Sequence, residues 1–307
     1  MNVRNFKDSV AHKLAWGLSA CAVILTFLIA YGLFRKADSI LAVKSFKDLL
    51  FSPLWRPFSG NFGLAIFIAS TIWVTVIAMV IAVPLGILTA IYLCEYAPKV
   101  VRKLMEPVVD LLGGISPVIF GVWGVIAIVP LVRDFIMPFC SNYLPFFPFR
   151  SSNNTGFSVL AGGIVLATMI LPIIISVASE VIKSVPFELR EVSLALGATK
   201  WQTVKWTVLK KAKAGIIAAV ILGLSRAFGE TIAVLMVCGC SFHMFPKSIF
   251  DAGYPMPALI ANTYGEMMSV PLYDSAIFLV ALILFIVTAV FNIFGWGVLV
   301  RIQRNAM

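Results

Sequence analysis

Long apolar runs, separated by short polar segments, dominate the chain. A membrane-spanning helix needs about 20 mostly apolar residues, and six runs reach that length. These runs lie at about residues 14–34, 63–93, 107–131, 157–182, 214–240 and 273–300. The first run is longer than the apolar core of a usual signal peptide, and Arg35-Lys36 follow it without a small-residue cleavage site, so we expect an uncleaved helix. The pattern predicts an all-α polytopic membrane protein with six transmembrane helices and a transmembrane domain over 14–300.

Basic residues between the runs indicate how the chain is oriented. Cytoplasmic loops of membrane proteins carry an excess of Lys and Arg. If the amino-terminal segment (1–13) lies inside, fifteen of the 24 Lys and Arg residues fall in cytoplasmic segments and eight in outer loops. The first outer loop is itself basic, because it holds five of those eight residues. The count predicts that 1–13 and the carboxyl-terminal segment (301–307) both lie in the cytoplasm.

Composition agrees with a membrane location and excludes several functional classes. Hydrophobic residues make up 61% of the 307 residues and charged residues 12%, with a mean hydropathy of +1.00, whereas soluble domains are about 25% charged. The net charge of +10 fits cytoplasmic loops beside an anionic leaflet better than nucleic-acid binding. The five cysteines and two histidines have no metal-ligand spacing, and no nucleophile-base constellation is evident. We therefore expect no enzyme, no metal site and no nucleic-acid partner.

The longest cytoplasmic segment, 184–213, has the pattern of a helical hairpin. Pro186 suits the first turn of a helix, and apolar residues then recur at spacings of three and four. Gly197 interrupts this periodicity before a second periodic segment begins at Trp201. Such a basic amphipathic hairpin can rest on the membrane surface or dock into a groove of a partner. Periodicity and charge do not choose between these two interpretations.

The fifth run contains two charged residues, Arg226 and Glu230, four positions apart. A helix from Ala214 to Val237 would be about 36 Å long, which puts Arg226 near the middle of the bilayer and Glu230 one turn further out on the same face. A charge at that depth costs about 2.5–3.5 kcal/mol on insertion scales. The residues form either a structural ion pair or an anion contact, with Arg226 meeting the anion and Glu230 moderating its field. Functional roles are the default for charges in membrane helices, which favours the anion contact.

Two further carboxylates, Glu106 and Asp110, sit at the cytoplasmic start of the third run. Their four-residue spacing puts them on one helix face, where they could gate a path or pair with Arg102 and Lys103. The interfacial location favours pairing. Glycines further along the same run mark either a deformable, closely packed segment lining a path or close helix packing alone.

The string EVSLALGATKWQTVKWTVL (191–209) resembles the EAA loop of type I ABC-importer permeases. In that family Glu-Ala-Ala is followed by a glycine four residues later, and here Val192 and Ser193 replace the two alanines. The family's loop docks into a cleft on the ATPase subunit. The resemblance therefore implies ATPase coupling through a set of hairpin residues: Glu191, Leu196, Gly197, Ala198 and Thr199.

Four other strings are similar to the permease subunits of phosphate importers, and the second and fourth of them resemble the PstC type in particular. They are AVPLGILTAIYLCEYAP (82–98), LLGGISPVIFGVWGVIAIVPLVRD (111–134), GGIVLATMILPIIISVASEVIKSVP (162–186) and LSRAFGETIAVLMVCG (224–239). The resemblance implies the type I importer permease fold, with Arg226, Glu230, Thr231 and Ser116 in the substrate path. At one of these positions the chain departs from the family, because it has Ser116-Pro117 where the family usually has Pro-Ser.

The same resemblance implies a set of partners in the cell (inner) membrane. These are a second related permease, two ATPase subunits, an extracytoplasmic phosphate-binding protein and the lipid bilayer. The sequence contains no GxxxxGK[ST] loop, so ATP and Mg²⁺ belong on the partner ATPase and this chain needs no cofactor. Import of another oxyanion such as molybdate or sulfate remains an alternative. An ion-coupled secondary transporter is a more distant one, since no inverted repeat is visible.

Overall fold

The computed structural model describes residues 3–143, 153–241, 245–266 and 269–304, and within them the chain is almost entirely helical. Five of the described helices are long and apolar enough to cross a membrane: Ala11–Val43, Ala65–Tyr96, Pro117–Ser141, Val159–Lys183 and Tyr273–Val298. The prediction of an all-α polytopic membrane protein is confirmed. The fifth predicted span (214–240) is not among these five, so the count of six crossings stays a prediction. The last residues of the predicted cytoplasmic terminus, 305–307, lie outside the described chain.

The described chain contains sixteen helices and strands besides its short 3₁₀ and π turns. They are α1 (Val3–Val43), α2 (Phe46–Phe51), β1 (Trp55–Arg56), β2 (Asn61–Phe62), α3 (Ala65–Ile91), α4 (Lys99–Gly114), α5 (Pro117–Trp123), α6 (Val129–Leu131), α7 (Met137–Tyr143), α8 (Val159–Lys183), α9 (Phe187–Ala195), α10 (Lys200–Gln202), α11 (Leu209–Gly229), α12 (Ile232–Val237), α13 (Met256–Thr263) and α14 (Tyr273–Arg304). Strands β1 and β2 pair antiparallel. Short π-helical turns extend α3 over Tyr92–Tyr96 and join α10 to α11 over Thr203–Val208.

Helices α3 and α8 form the centre of the membrane domain. Glycine lets their backbones approach closely: a Cβ on Gly163 would lie 2.5 Å from the Ile77 side chain, and one on Gly86 would lie 2.8 Å from Ile174. Small residues at such contacts are the usual means of close packing in membranes, where lipid leaves no hydrophobic drive between helices. Helix α11 packs against α8 and α14, so this core holds the helix that carries Arg226.

The first helix is longer than its apolar run. The predictions 63–93, 157–182 and 273–300 agree with the structure to within a few residues. Helix α1, in contrast, reaches Val43, so Arg35 and Lys36 lie within the helix rather than in an outer loop. The Lys36 ammonium lies 6.0 Å from the centroid of the Phe278 ring of α14. Long basic side chains can cover apolar surface while their charge reaches water. A prediction that counts only apolar residues therefore places the end of this helix too early.

The predicted third helix (107–131) is wrong, because the structure interrupts it after Gly114. Helix α5 begins at Pro117, and between the two helices Ser116 is extended, with φ −62° and ψ 139°. A proline ring disfavours the helical conformation of the residue before it. The membrane-spanning helix is therefore Pro117–Ser141, and the two carboxylates predicted at its start lie on the separate α4.

The predicted fifth helix (214–240) differs from the structure at both ends. Helical structure begins at Lys200 and continues through the π-helical turn into α11. The second arm of the predicted hairpin is thus the first part of this helix. At the other end, α11 stops at Gly229 and α12 starts at Ile232. The break falls inside an apolar run whose periodicity gives no sign of it.

Candidate functional site

The break between α11 and α12 is shaped by Glu230. This residue has left the helical conformation, with φ −74° and ψ 129°. Its Oε1 accepts hydrogen bonds from the backbone N–H of Thr231 at 3.1 Å and of Ala233 at 3.4 Å. The first N–H groups of a helix have no partners within the helix, and a carboxylate there suits the helix dipole. Glu230 therefore caps α12, and the Thr231 hydroxyl closes the turn by donating to Gly229 O at 3.3 Å.

Arg226 lies on the last turn of α11, and its side chain is exposed. Among the described residues, neither Glu230 nor another carboxylate lies within ion-pair distance of its guanidinium. The expectation that the two charges share one helix face fails, because the helix ends between them and the carboxylate turns to α12. Arg226 thus presents a positive charge on the surface of the subunit with no carboxylate of the described chain beside it.

Ser116 occupies a second break, between α4 and α5, and is exposed. Helices α5 and α12 pack in parallel: a Cβ on Gly121 would lie 3.2 Å from Ala233 Cα, and one on Gly124 would lie 2.9 Å from the Val237 side chain. Helix α5 begins at Pro117, about one turn before Gly121, and α12 begins at Ile232, directly before Ala233. The two breaks that precede these helices therefore lie at similar levels. Within the described chain no hydrogen bond joins Ser116 to the α11–α12 break. In secondary transporters, discontinuous helices of this kind form the substrate sites.

Sequence reasoning misses a polar contact beside Arg226. The Ser225 hydroxyl of α11 donates to Asn292 Oδ1 of α14 at 2.6 Å. Next to this bond Phe228 and Phe291 stack with ring centroids 4.9 Å apart. An asparagine within an apolar run is the signal that could have found the contact, because amide side chains in membrane helices hydrogen-bond across helices. The bond holds α11 against α14 directly beside the exposed arginine.

The cytoplasmic segment 184–213, called the docking hairpin below, turns at Gly197. The N–H of Gly197 donates to Leu194 O at 2.9 Å, and that of Ala198 to Ser193 O at 3.2 Å, which are the two bonds of a Schellman motif. Gly197 has φ +83°, a left-handed conformation that glycine adopts without strain. Thr199 then opens the second arm through a reciprocal capping box. The predicted glycine turn is thus present, with a defined cap on each side.

The docking hairpin exposes apolar surface. Val192 is 59% exposed, Leu196 at the tip is 84% exposed, and Trp201 on the second arm is 53% exposed. Glu191, predicted to couple to an ATPase, is exposed next to Val192. Contiguous exposed apolar side chains mark interaction sites. The hairpin therefore has the kind of surface that docking to a partner requires.

Glu106 pairs with Lys183 at the end of α8, with 2.5 Å between Nζ and Oε1. An ion pair was expected with Arg102 or Lys103, but Arg102 donates to Leu93 O at 2.7 Å. The partner differs because α4 is a separate helix that packs against α8. The two side chains of the pair are 43% and 44% exposed, so the pair contributes little stability. Asp110 is exposed and lines a cavity of about 170 Å³ with Glu106; a gating role stays a prediction.

Comparison with known proteins places most of the chain in one family. The family described as Binding-protein-dependent transport system inner membrane component matches residues 82–301. The Phosphate transport system permease protein PstC of Xylella fastidiosa is 36% identical over 297 residues, which cover 94% of this chain and 89% of the relative. The Probable phosphate transport system permease protein PstC of Methanocaldococcus jannaschii is 34% identical over 279 residues, or 89% of this chain and 88% of the relative.

Solved structures support the same fold. A bacterial ABC transporter involved in import of the acidic polysaccharide alginate matches with a TM-score of 0.59 and 17% identity, over 97% of this chain and 99% of that chain. The MetNI methionine ABC transporter matches with a TM-score of 0.55 and 19% identity, over 78% and 94%. The resemblance to ABC-importer permeases is confirmed, and the chain belongs to the family of binding-protein-dependent transport system inner membrane components.

Proposed function

We propose that this chain is a permease subunit of an ATP-driven importer of inorganic phosphate in the cell (inner) membrane. Together with a second, related permease it would form the transport path. Two ATPase subunits would bind ATP and Mg²⁺ on the cytoplasmic side, and an extracytoplasmic binding protein would deliver phosphate. The chain itself would catalyse no reaction and need no cofactor. Relatives named as phosphate transport permeases, of which one is 36% identical over 94% of the chain, support this choice of substrate.

The exposed guanidinium of Arg226 beside a helix break carries the proposal. A guanidinium presents a planar pair of donors that matches phosphate oxygens. The Glu230 carboxylate accepts from the backbone N–H groups of Thr231 and Ala233 at the start of α12, so it leaves the donors of Arg226 free for an anion. A transport site must also release its ion, and exposure to water keeps the attraction weak enough for release. Thr231 and Ser116, at the two breaks, add hydroxyl groups to the same path.

The docking hairpin would connect this path to ATP hydrolysis. Its exposed tip, from Glu191 through Leu196, Gly197 and Ala198 to Thr199, would seat in the ATPase. A helix-in-groove contact uses exposed apolar anchors of the kind that Val192 and Leu196 present. With the hairpin inside the cell, both termini would lie in the cytoplasm as well, which the positive-inside count supports.

Uptake of radiolabelled phosphate by the reconstituted four-component transporter tests the role of Arg226. We expect Arg226→Gln to lower uptake by about 10- to 100-fold, because a hydrogen bond to a charged group contributes about 1.5–3 kcal/mol. The matched control is Arg133→Gln, since Arg133 is half-exposed and paired with Asp134; that variant should retain uptake. Normal uptake by Arg226→Gln in an assembled complex would remove Arg226 from the path.

The same vesicles test the substrate and the energy source. Excess phosphate should compete with labelled phosphate, whereas molybdate and sulfate should not. Uptake should persist when a protonophore collapses the proton gradient and ATP is maintained. Competition by sulfate or molybdate would assign another oxyanion, and loss of uptake with the gradient alone would assign a secondary transporter.

A further inference from the structure

A buried ion pair joins the docking hairpin to the end of helix α3. Arg190 Nη2 and Nε lie 2.7 and 3.1 Å from Glu95 Oε1. The two side chains are 13% and 10% exposed, whereas the side chains of the other ion pairs in the described chain are at least 43% exposed. Because little of either side chain reaches water, removing one partner leaves the other charge poorly compensated, which is unfavourable. The pair is therefore a persistent link between the hairpin and α3.

The same guanidinium also binds the end of α8. Arg190 Nη2 donates to Ile182 O in the last turn of α8 at 3.0 Å, and Nη1 donates at 2.6 Å to Val185 O, just after that helix. Backbone N–H groups of the following turn also donate to Ile182 O, and Arg190 adds a charged donor at this helix end. One side chain of the hairpin thereby joins the ends of α3 and α8, the two helices at the centre of the membrane domain.

The second arm of the hairpin contacts the same end of α3. Lys200 Nζ lies 4.7 Å from the centroid of the Tyr96 ring, and Tyr96 directly follows Glu95. Both contacted residues belong to the π-helical turn Tyr92–Tyr96. Such turns are rare and occur frequently at functional sites. The two arms of the hairpin thus hold the irregular last turn of α3 between them.

An open cavity lies beside these contacts. It has a volume of about 770 Å³ and is lined by Glu95, Arg190 and Lys200 together with Arg102 of α4 and Phe187 of α9. The second arm of the hairpin also packs in a buried apolar cluster, in which Val204 and Val208 join Ala90 of α3 and Ala178 of α8. At the cavity, the polar contacts of Arg190 add a directional link from the first arm of the hairpin to the ends of α3 and α8.

We infer that Arg190 and Glu95 transmit movement of the docking hairpin to helices α3 and α8. This inference rests on the proposed function, in which the hairpin docks on an ATPase. The two residues are positioning residues, since their contacts are with each other and with the helix ends. Because one guanidinium holds both helix ends, the hairpin moves α3 and α8 as a unit.

The complete transporter, reconstituted in vesicles with Glu95→Gln or Arg190→Lys, tests this inference. Three quantities are measured: the ATPase that copurifies, the ATP hydrolysed and the phosphate imported. We expect copurification and hydrolysis to persist while the phosphate imported per ATP falls by about 2- to 30-fold, the range of coupling energies found for residues between two sites. The matched control is Asp134→Asn, which alters an exposed ion pair outside the hairpin and should leave the ratio unchanged.

Two results would overturn the inference. An unchanged ratio in assembled Glu95→Gln and Arg190→Lys transporters would show that the pair transmits nothing. A lower melting temperature and less copurified ATPase, with an unchanged ratio in the complexes that remain, would assign the pair to stability alone. A wild-type subunit that recruits no ATPase would instead refute the proposed function. A wild-type complex that imports another oxyanion would refute only the substrate, and the ratio would then be measured with that oxyanion.

Discussion

Substitutions of Glu230 test the structure of the helix break. A carboxylate that caps α12 and a carboxylate paired with Arg226 respond differently to replacement by glutamine. As the cap of α12, Glu230 accepts from two backbone N–H groups through Oε1. Alanine removes this acceptor, and loss of a cap costs about 1 kcal/mol, or about fivefold in the opening equilibrium at 25 °C. Glutamine keeps an acceptor oxygen but loses the charge, and charge-assisted hydrogen bonds are about twice as strong as neutral ones. We therefore expect glutamine to cost about half as much free energy as alanine, which changes the opening equilibrium about twofold.

Amide hydrogen exchange of the purified transporter measures this difference. Peptides that cover 231–238 should exchange about fivefold faster in Glu230→Ala and about twofold faster in Glu230→Gln. The matched control is Thr199→Ala, which removes the N-cap of the second hairpin arm. That variant should accelerate exchange in the hairpin and leave 231–238 unchanged.

An ion pair between Glu230 and Arg226 would give another pattern. Glutamine would then be as damaging as alanine, because both remove the charge, and Arg226→Gln would accelerate exchange at the break to the same extent. Equal exchange in the two Glu230 variants would therefore refute the capping role derived from the structure.

The packing contacts and turns lead to three further predictions. Gly121→Leu should destabilise the subunit by about 1–3 kcal/mol, because even a Cβ at this position would lie 2.5 Å from Met236 Sδ. The control Gly114→Ala places its Cβ where no atom lies within 4 Å and should be neutral. Equal melting temperatures of the two variants would contradict this prediction. Gly197→Ala should destabilise the hairpin turn by about 1–2 kcal/mol through its left-handed conformation alone, because open space surrounds the Cβ position. Weaker copurification of the ATPase measures this effect. Gly197→Asn should have a smaller effect, because asparagine adopts the left-handed conformation more readily. Asn292→Leu should cost about 0.6 kcal/mol by removing an inter-helix bond, and a melting temperature equal to wild type would refute a contribution of that bond.

The sequence predicts the spans and the hairpin turn well because their signals are local. Helices α3, α8 and α14 coincide with apolar runs whose length alone requires a membrane span. The turn at Gly197 depends on bonds that reach no further than five residues, from Ala198 back to Ser193. Periodicity and a glycine at the interruption therefore suffice to locate it.

The breaks are harder to predict from sequence. Proline is common in membrane helices, where neighbouring helices satisfy the freed backbone groups. Proline at residue 117 ends a helix, whereas Pro84 and Pro172 lie inside helices. The break at Glu230 depends on which way one carboxylate turns, toward Arg226 or toward the N–H groups of α12. A count of positions along an ideal helix cannot distinguish these two directions.

Polar contacts between residues far apart in the chain are the hardest to predict from the sequence. Glu106 and Lys183 are 77 positions apart, and Arg190 and Glu95 are 95 positions apart. Helical spacing suggests only partners three or four residues away, which is why Arg102 and Lys103 are the natural candidates for Glu106. The contacts that connect the hairpin to the membrane domain emerge only once the helices are packed.

The exposed side chain of Arg226 has a consequence for how the subunit survives before assembly. An isolated subunit leaves this charge uncovered, and where such a charge faces lipid near the bilayer centre the cost is about 2.5–3.5 kcal/mol. The second permease proposed above would remove that cost by enclosing the path in water and protein. The subunit should therefore be less stable in the membrane alone than when it is paired with that permease.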